Sequence, residues 1–272
     1  MTLSIVIANW NTKEMIRQCI ESIFSSISAE LRFEVIVIDN ASADGSTEYL
    51  LSLGDKITLL CNYDNLGYAK ACNQGMKIAQ GKFVLLLGSD TIIKKEAAEK
   101  CIQFLEENPG YGAASCKLLN PDGSAQNSLK KFPKLKNAFY TYLSLEKLNS
   151  DYDMSGFDYG SSIDAEQIAA TFLMLRRDVL EQLNYFDESY RILYNDVDLC
   201  RRIWKAGYKI YFLHNCSIVH YGSHSTKKAD FGLRKIMYSD IYRYYKNNFG
   251  FKARFLYPIL VLRLLIVSTI KA

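Results

Sequence analysis

Three carboxylates and one histidine stand where strands or helices end, which is where a folded chain exposes chemistry. Asp39 closes the apolar run VIVID, Asp90 closes FVLLLGSD, Asp196 follows Asn195 at the head of a helical pattern, and His220 ends the run SIVH. A charge at the end of a fully apolar strand is costly unless it is hydrated, paired or bound to a cation. For Asp90 the plain structural alternative, an N-cap for a helix starting near Lys94, is too far along the chain to fit well. A hard cation such as Mg2+ or Mn2+, held by one carboxylate and two phosphate oxygens, suits the position. Asp39 is able to accept the N3–H of uracil or thymine, or simply to cap the turn after its strand; taken alone the two readings weigh the same. Asn195 makes a good N-cap and puts Asp196 in the first helical turn, either as a base at the mouth of a cleft or as a carboxylate favoured by the helix dipole. Asp198 is spaced to pair with Arg201 or Arg202 along the same helix.

The elements that must position these groups follow from hydrophobic period. Short β-branched runs at 3–8, 33–39, 56–61 and 82–87 alternate with segments such as Met15, Ile16, Cys19, Ile20, Ile23, Phe24 and Ile27, apolar at helical spacing. Asn11, with Glu14 three residues later, reads as a capping box for the first helix. Strand, helix, strand, helix predicts an α/β fold: a mostly parallel central sheet with helices on both faces, joined by right-handed crossovers. Ligands of such sheets sit at the carboxyl ends of the strands. Those ends are Ala8-Asn9-Trp10-Asn11, Asp39-Asn40-Ala41-Ser42, Asn62 to Gly67 and Gly88-Ser89-Asp90-Thr91, all polar and all expected to converge on one cleft. The stretch Asn65 to Gly75 joins a loop glycine, Gly67, to a small-residue helix bearing Asn73; it suits phosphate at a helix N-terminus, or ordinary tight packing. No G-x-G-x-x-G and no G-x-x-x-x-G-K-[ST] occurs, which removes the usual dinucleotide and P-loop readings.

Beyond residue 110 the pattern changes to YGAASCKLL, a turn at Asn120-Pro121-Asp122-Gly123, a polar Lys- and Tyr-rich stretch, and a second apolar strand at 168–177. Residues 1–226 read as one catalytic domain, 1–109 as its nucleotide half and 110–226 as its acceptor half, followed by a helical appendage at 227–272 with helices at 231–249 and 254–270. The 272-residue length fits one large domain with such an appendage. From Lys227 onward ten Lys/Arg face only Asp230 and Asp240, so the appendage is strongly basic and the preceding body acidic. Seven scattered cysteines without a C-x-x-C pair, and a start without a signal peptide, point to the cytoplasm. Nothing organised for nucleic acid accompanies the basic tail.

The ordered set SIVIANWN, VIDNASADGS, NLGYAKACNQG, LLLGSDT, FDESYRILYNDVDLCRR and IVHYGSHS, spanning residue 3 to about 225, resembles the family-two glycosyltransferases of the GT-A fold. The likeness is to the bacterial branch that builds cell-surface polysaccharides and includes many rhamnosyltransferases. Six motifs in order are far more specific than any one. The resemblance implies a nucleotide-sugar donor, a UDP- or dTDP-sugar, in the strand-end cleft, and an inverting transfer to a hydroxyl of a glycan or lipid-linked acceptor. It matches Asp39 to the base-reading aspartate, Asp90 to the metal-binding aspartate of the D-x-D element, and Asp196 to the general base. His220 matches a histidine that helps ligate the metal or contacts the diphosphate, with His224 and Ser225 placed to touch phosphate. The donor-binding set expected on this reading is Ala8, Asn9, Asn11, Asp39, Asn40, Asn65, Gly67, Asn73, Ser89, His224 and Ser225; the cofactor is Mn2+ or Mg2+. Two departures stand out: Gly88 occupies the first acidic position of D-x-D, and Asn195 replaces a glutamate beside the base.

Those departures keep two other readings open, an inactive nucleotide-sugar-binding protein and a sugar-1-phosphate nucleotidyltransferase, although the N-terminal ANWNTKE lacks the Gly-rich signature of the latter. In the tail, Phe255 to Ile270 is apolar but interrupted by Arg263 and shorter than the ~20 residues of a spanning helix, so it is expected to lie on an anionic membrane surface at the inner face rather than to cross it. Upstream, Tyr238, Ile241, Tyr242, Tyr245 and Phe249 form an aromatic stripe that would face the same headgroups, or pack on the catalytic domain or on a second copy in a homodimer.

Overall fold

The computed structural model describes residues 1–222 and 231–269. Its first half alternates as the apolar runs predict: β1 (Leu3–Asn9), α1 (Lys13–Ser26), β2 (Phe33–Asp39), α2 (Ser46–Ser52), β3 (Thr58–Cys61), α3 (Tyr68–Ile78) and β4 (Phe83–Leu87). The four strands pair in parallel in the order β3-β2-β1-β4, with Asn9 level with Asp39 and Asp39 level with Cys61. Because each parallel strand returns through a crossover, all four polar strand ends share one edge. Side chains alternate across the sheet, so Ile5, Ile7, Val35 and Val37 pack with Ile16, Cys19 and Ile23 of α1, while Val6, Ile36 and Ile38 pack with the small face of α3.

That small face is a packing device. A Cβ on Gly75 would stand 2.6 Å from both Ile38 Cδ1 and Val6 Cγ1. Gly75→Ala sets about 1 kcal/mol of helix propensity against about 1–3 kcal/mol of overpacking. Net destabilisation of up to about 2 kcal/mol is expected in denaturant melts, with the strand-end edge intact; a more stable variant would contradict the packing account.

The second half adds β5 (Thr91–Ile93), α4 (Ala97–Glu107), β6 (Tyr111–Leu119), β7 (Leu129–Lys130), α5 (Leu135–Tyr142), α6 (Ser150–Asp153), β8 (Ile163–Asp164), β9 (Gln167–Ile168), β10 (Phe172–Arg176), α7 (Arg177–Gln182), α8 (Asn195–Lys205) and β11 (Lys209–His220). The full order is β3-β2-β1-β4-β10-β6-β11-β5, with β8 beside β11. β10 runs antiparallel to both β4 and β6, whereas β11 is parallel to β6 and antiparallel to β5. The chain leaves β6 at the strand-end edge, makes an excursion over 120–171 in which β8 reaches the start of β11 at the far edge, and re-enters the sheet from the strand-end side, which fixes the direction of β10. β11 then climbs back to the same edge and delivers His220 opposite Thr91.

In the tail, α9 (Phe231–Phe249) is followed by a 3-10 segment, Gly250–Phe255, and α10 (Tyr257–Thr269). Of the aromatic stripe, Ile241 and Tyr245 are buried together with Tyr244 against Tyr190 and Ala138, with Tyr194, Tyr238, Tyr242 and Phe249 partly buried around them. The stripe therefore packs on the body of the protein, and residues 231–260 share a core with Ala138 and Tyr190. Among the described residues no helix is long and apolar enough to cross a membrane.

Candidate active site

A cleft of about 990 Å³ opens at the shared strand edge. Ala8, Asn9, Asn11, Asn40, Asn65, Gly67 and Ser89 line it, all members of the expected donor set. Trp10, Tyr68, Arg191 and, from α9, Gly232, Leu233 and Ile236 complete the walls. Hydrogen bonds between segments far apart in the chain fix its floor. Asn40 Nδ2 donates to Asn65 Oδ1 (2.7 Å) while its Oδ1 accepts from Leu66 N (3.0 Å), which pins the loop ahead of α3. Thr12 Oγ1 bridges Asn9 Oδ1 (2.6 Å) and Ser89 Oγ (3.0 Å). The expected capping box is not formed. Asn11 sits in the left-handed region (φ 53°) and its Oδ1 accepts from Ala43 N, Lys13 N is capped instead by Asp44 Oδ2 (2.8 Å), and Glu14 pairs with Arg17. Two turns thus cap each other across the cleft rim.

Two members of the expected donor set lie elsewhere. Asp39 is buried beneath the floor, and its carboxylate accepts from Asn9 Nδ2 (2.8 Å), Ser42 Oγ (2.7 Å), Ser42 N (3.1 Å) and Thr47 Oγ1 (2.8 Å). Four donors satisfy a buried carboxylate, so a nucleobase would have to displace one of them or be read through Asn9 and Ser42. Asn73 is likewise buried and engaged: its Oδ1 accepts from Phe186 N (3.0 Å) and its Nδ2 donates to Phe186 O (2.9 Å) and Glu188 Oε1 (3.0 Å). It clamps the loop leading to α8 and does not line the cleft. His224 and Ser225 lie outside the described residues.

Beside Ser89, the strand edge brings Asp90 and His220 together. His220 Nε2 is 3.4 Å from Asp90 Oδ2, and both side chains keep less than a fifth of their surface exposed. Gly88 leaves this element with a single carboxylate. A Cβ at that position would stand 3.0 Å from Asp90 Oδ1 and 3.3 Å from Thr91 Cγ2, crowding the aspartate that remains. Among the described residues no group of three or more His, Cys, Asp or Glu is arranged to hold a metal ion by itself. One carboxylate oxygen and one imidazole nitrogen fit a cation that takes its other ligands from phosphate and water.

Asp196 lies half-buried in the first turn of α8, whose N-terminus points to the same edge. Asn195 is the first residue of α8 rather than the cap expected of it: the cap position falls to Tyr194, whose φ of 65° turns the chain into the helix without a side-chain cap bond, and Asn195 Oδ1 accepts only from the adjacent Asp196 N at 2.7 Å. Burial pushes the Asp196 carboxyl above the ordinary carboxylate value; the N–H groups of Val197 and Ala170 and the charge of Lys130 oppose the shift. Tyr68 links Asp196 to the cleft it lines: its hydroxyl donates to Ala170 O (3.3 Å), while Ala170 N reaches Asp196 Oδ2 (3.4 Å). Burial, then Cys72, then the carboxylates of Asp196 and Asp90 hold the Tyr68 phenol well above its usual value, so it stays a donor. Asp198 pairs with Arg202 at 2.7 Å as the spacing predicts.

Sequence reasoning missed the loop that closes the cleft. The buried carboxylate of Asp240 accepts from the backbone N–H groups of Arg191 (3.3 Å), Ile192 (2.8 Å) and Leu193 (3.0 Å), and Arg191 O accepts from Tyr68 N (2.8 Å). The signal was available, since Asp240 is the lone acid between residues 231 and 269.

Residues 4–183 match the family model described as glycosyl transferase family 2. The chain is 25% identical over 225 residues to TuaG of Bacillus subtilis (strain 168), a glycosyltransferase named for teichuronic acid biosynthesis, covering 78% of this chain and 86% of that one. It is 25% identical over 228 residues to an N-acetylglucosaminyl-diphospho-decaprenol L-rhamnosyltransferase of Mycobacterium tuberculosis (strain ATCC 25618 / H37Rv), covering 74% of this chain and 70% of the relative. In fold it is similar to S. aureus TarS in complex with UDP-GlcNAc, with a TM-score of 0.59, 19% identity, and coverage of 88% of this chain and 65% of that one. GalNAc-T7 with UDP, GalNAc and Mn2+ superposes with a TM-score of 0.62 at 12% identity, over 88% of this chain and 48% of that one. These neighbours share the GT-A type of mixed α/β sheet.

Proposed function

The chain belongs to glycosyl transferase family 2, and from that premise we propose an inverting transfer of a sugar from a UDP- or dTDP-sugar to a hydroxyl of a glycan or lipid-linked acceptor. The observation that carries the proposal is the meeting of Asp90 with His220, residues remote in the chain, beside a polar cleft lined by Asn9, Asn40 and Ser89. The nucleotide named with the structural neighbours is UDP, and the rhamnosyltransferase likeness keeps dTDP in view. A Mn2+ or Mg2+ ion held by Asp90 and His220 would supply a Lewis acid for the departing diphosphate. Asp196 takes the proton of the acceptor hydroxyl as that oxygen attacks the anomeric carbon; the bond to the diphosphate oxygen breaks in the same in-line step, which inverts the centre. Arg191, on the cleft wall, offers a guanidinium to the same phosphates.

The family assignment removes the nucleotidyltransferase alternative. An inactive donor-binding protein remains the second reading, favoured by Gly88 and Asn195. Thermal shift with UDP, dTDP and GDP sugars, each with and without Mn2+, tests donor choice. Stabilisation by UDP or dTDP compounds that grows with Mn2+ is expected, and stabilisation by GDP compounds alone would overturn the donor assignment.

The same enzyme is proposed to work at the inner face of the plasma membrane. Phe251, Phe255, Tyr257 and Leu262 are each more than half exposed, and Arg254 lies over the Phe251 and Phe255 rings. Apolar side chains beside Lys252, Arg254 and Arg263 suit anionic headgroups. The full chain should sediment with vesicles containing anionic lipid and be released by high salt, and Phe251→Ser with Leu262→Ser should lower that binding at least about tenfold. Point substitutions serve better than truncation near residue 228, which would strip Tyr190 and Ala138 of their buried partners. Equal sedimentation of the two proteins, or a solution dimer burying these residues, would overturn the assignment.

A further inference from the structure

The turn Asn120–Ser124 and Gln126 have no part in the reaction above, yet they end on His220. Gln126 Nε2 donates to the carbonyl oxygen of His220 (2.7 Å) and to Asn120 Oδ1 (2.9 Å), and Gln126 Oε1 lies 2.8 Å from His220 Nδ1. Asn120 Nδ2 donates to Ser124 Oγ (2.8 Å), and the Ser124 hydroxyl donates to Asp122 Oδ1 (2.6 Å). A carboxylate only accepts, so this chain has a direction. The Ser124 proton is committed to Asp122, so Ser124 Oγ accepts from Asn120; Asn120 must then turn its oxygen to Gln126, and Gln126 its own oxygen to the imidazole. Nδ1 therefore carries the proton. In the neutral ring this leaves the Nε2 lone pair facing Asp90 Oδ2 at 3.4 Å, two acceptors opposite each other with room for a cation to reconcile them.

We propose that Gln126, oriented by the Asn120–Ser124 turn, is a positioning residue that locks His220 as its Nδ1–H tautomer and so presents Nε2 as a metal ligand. Ring partners of this kind fix tautomer and orientation and change metal affinity by about 10- to 100-fold. The metal half of the inference rests on the proposed function; the tautomer half does not.

Two measurements on the full chain separate them. Imidazole 15N NMR of metal-free protein at a pH where His220 is neutral reads the tautomer directly, and with only three histidines the signal can be assigned through a His220→Asn control. The expected result is an Nδ1–H ring in the wild type and in Gln126→Glu, whose carboxylate still accepts from Nδ1. In Gln126→Leu a shift towards Nε2–H, now free to donate to Asp90, is expected. Electron paramagnetic resonance of Mn2+ in the presence of UDP then reads affinity, with Gln126→Leu weakened about 10- to 100-fold and Gln126→Glu near the wild type. A wild-type Nε2–H ring, or an unchanged tautomer in Gln126→Leu, overturns the positioning role. A wild type that shows Nδ1–H but binds no Mn2+ with UDP supports the lock and overturns the metal reading.

Discussion

Replacing Asp196 with asparagine is expected to lower turnover by roughly 10²- to 10⁴-fold while leaving nucleotide affinity within about twofold. The loss corresponds to about 3–5 kcal/mol of transition-state stabilisation and, on the proposed mechanism, falls on the chemical step, because a general base acts only when the acceptor proton moves. Burial that raises the Asp196 carboxyl also moves the acid limb of the pH–rate profile above the ordinary carboxylate range, since the base must be ionised. The sign for stability is opposite. A carboxyl whose folded pKa is raised contributes stability that is full below its unfolded pKa and is lost as pH rises through the folded one. At neutral pH the ionised side chain is therefore a cost, and Asp196→Asn should melt no lower than the wild type. Near-normal turnover, or a lost fold, would remove Asp196 from the mechanism as stated.

Replacing Asp90 with alanine should weaken donor binding in Mn2+ on the order of 10²-fold and leave the residual, metal-free binding unchanged, because the diphosphate would reach this edge through the cation. His220→Ala should give a similar loss in Mn2+ and a smaller one in Mg2+, for which imidazole is a poor ligand. Calorimetric titration of UDP and dTDP with each metal and with chelator checks both. Equal affinities in wild type and Asp90→Ala under all conditions would remove the metal from the account.

The strand ends were legible in the sequence because a parallel sheet puts its carboxyl ends on one edge, and Ala8, Asn9, Asn40 and Ser89 had nowhere else to go. Direction was not. Hydrophobic period says that Phe172–Arg176 is a strand and nothing about which way it runs, which is decided by the edge from which the 120–171 excursion re-enters. Side-chain partners were hidden for the same reason. Asn73 reads as a ligand for phosphate until Phe186, from a distant loop, takes its amide, and Asn11 reads as a helix cap until Ala43 takes its oxygen. Asp39 shows the limit of a matched position: the residue is where the motif puts it, but its four donors mean that Asp39→Ala would disturb Asn9, Ser42 and Thr47 as well as any base contact. In the tail, of the two places the sequence left open for the aromatic stripe, the core around Tyr190 and Tyr194 took it, whereas Phe251, Phe255 and Leu262 stay exposed.

The most direct test of a working transferase is nucleoside diphosphate release by the pure full chain, incubated with UDP- and dTDP-sugars and Mn2+. Slow release from at least one donor, stopped by chelator and by Asp90→Ala, is the predicted result. Tight donor binding with no release from any donor, with or without metal, would contradict it and leave a nucleotide-sugar-binding protein in its place.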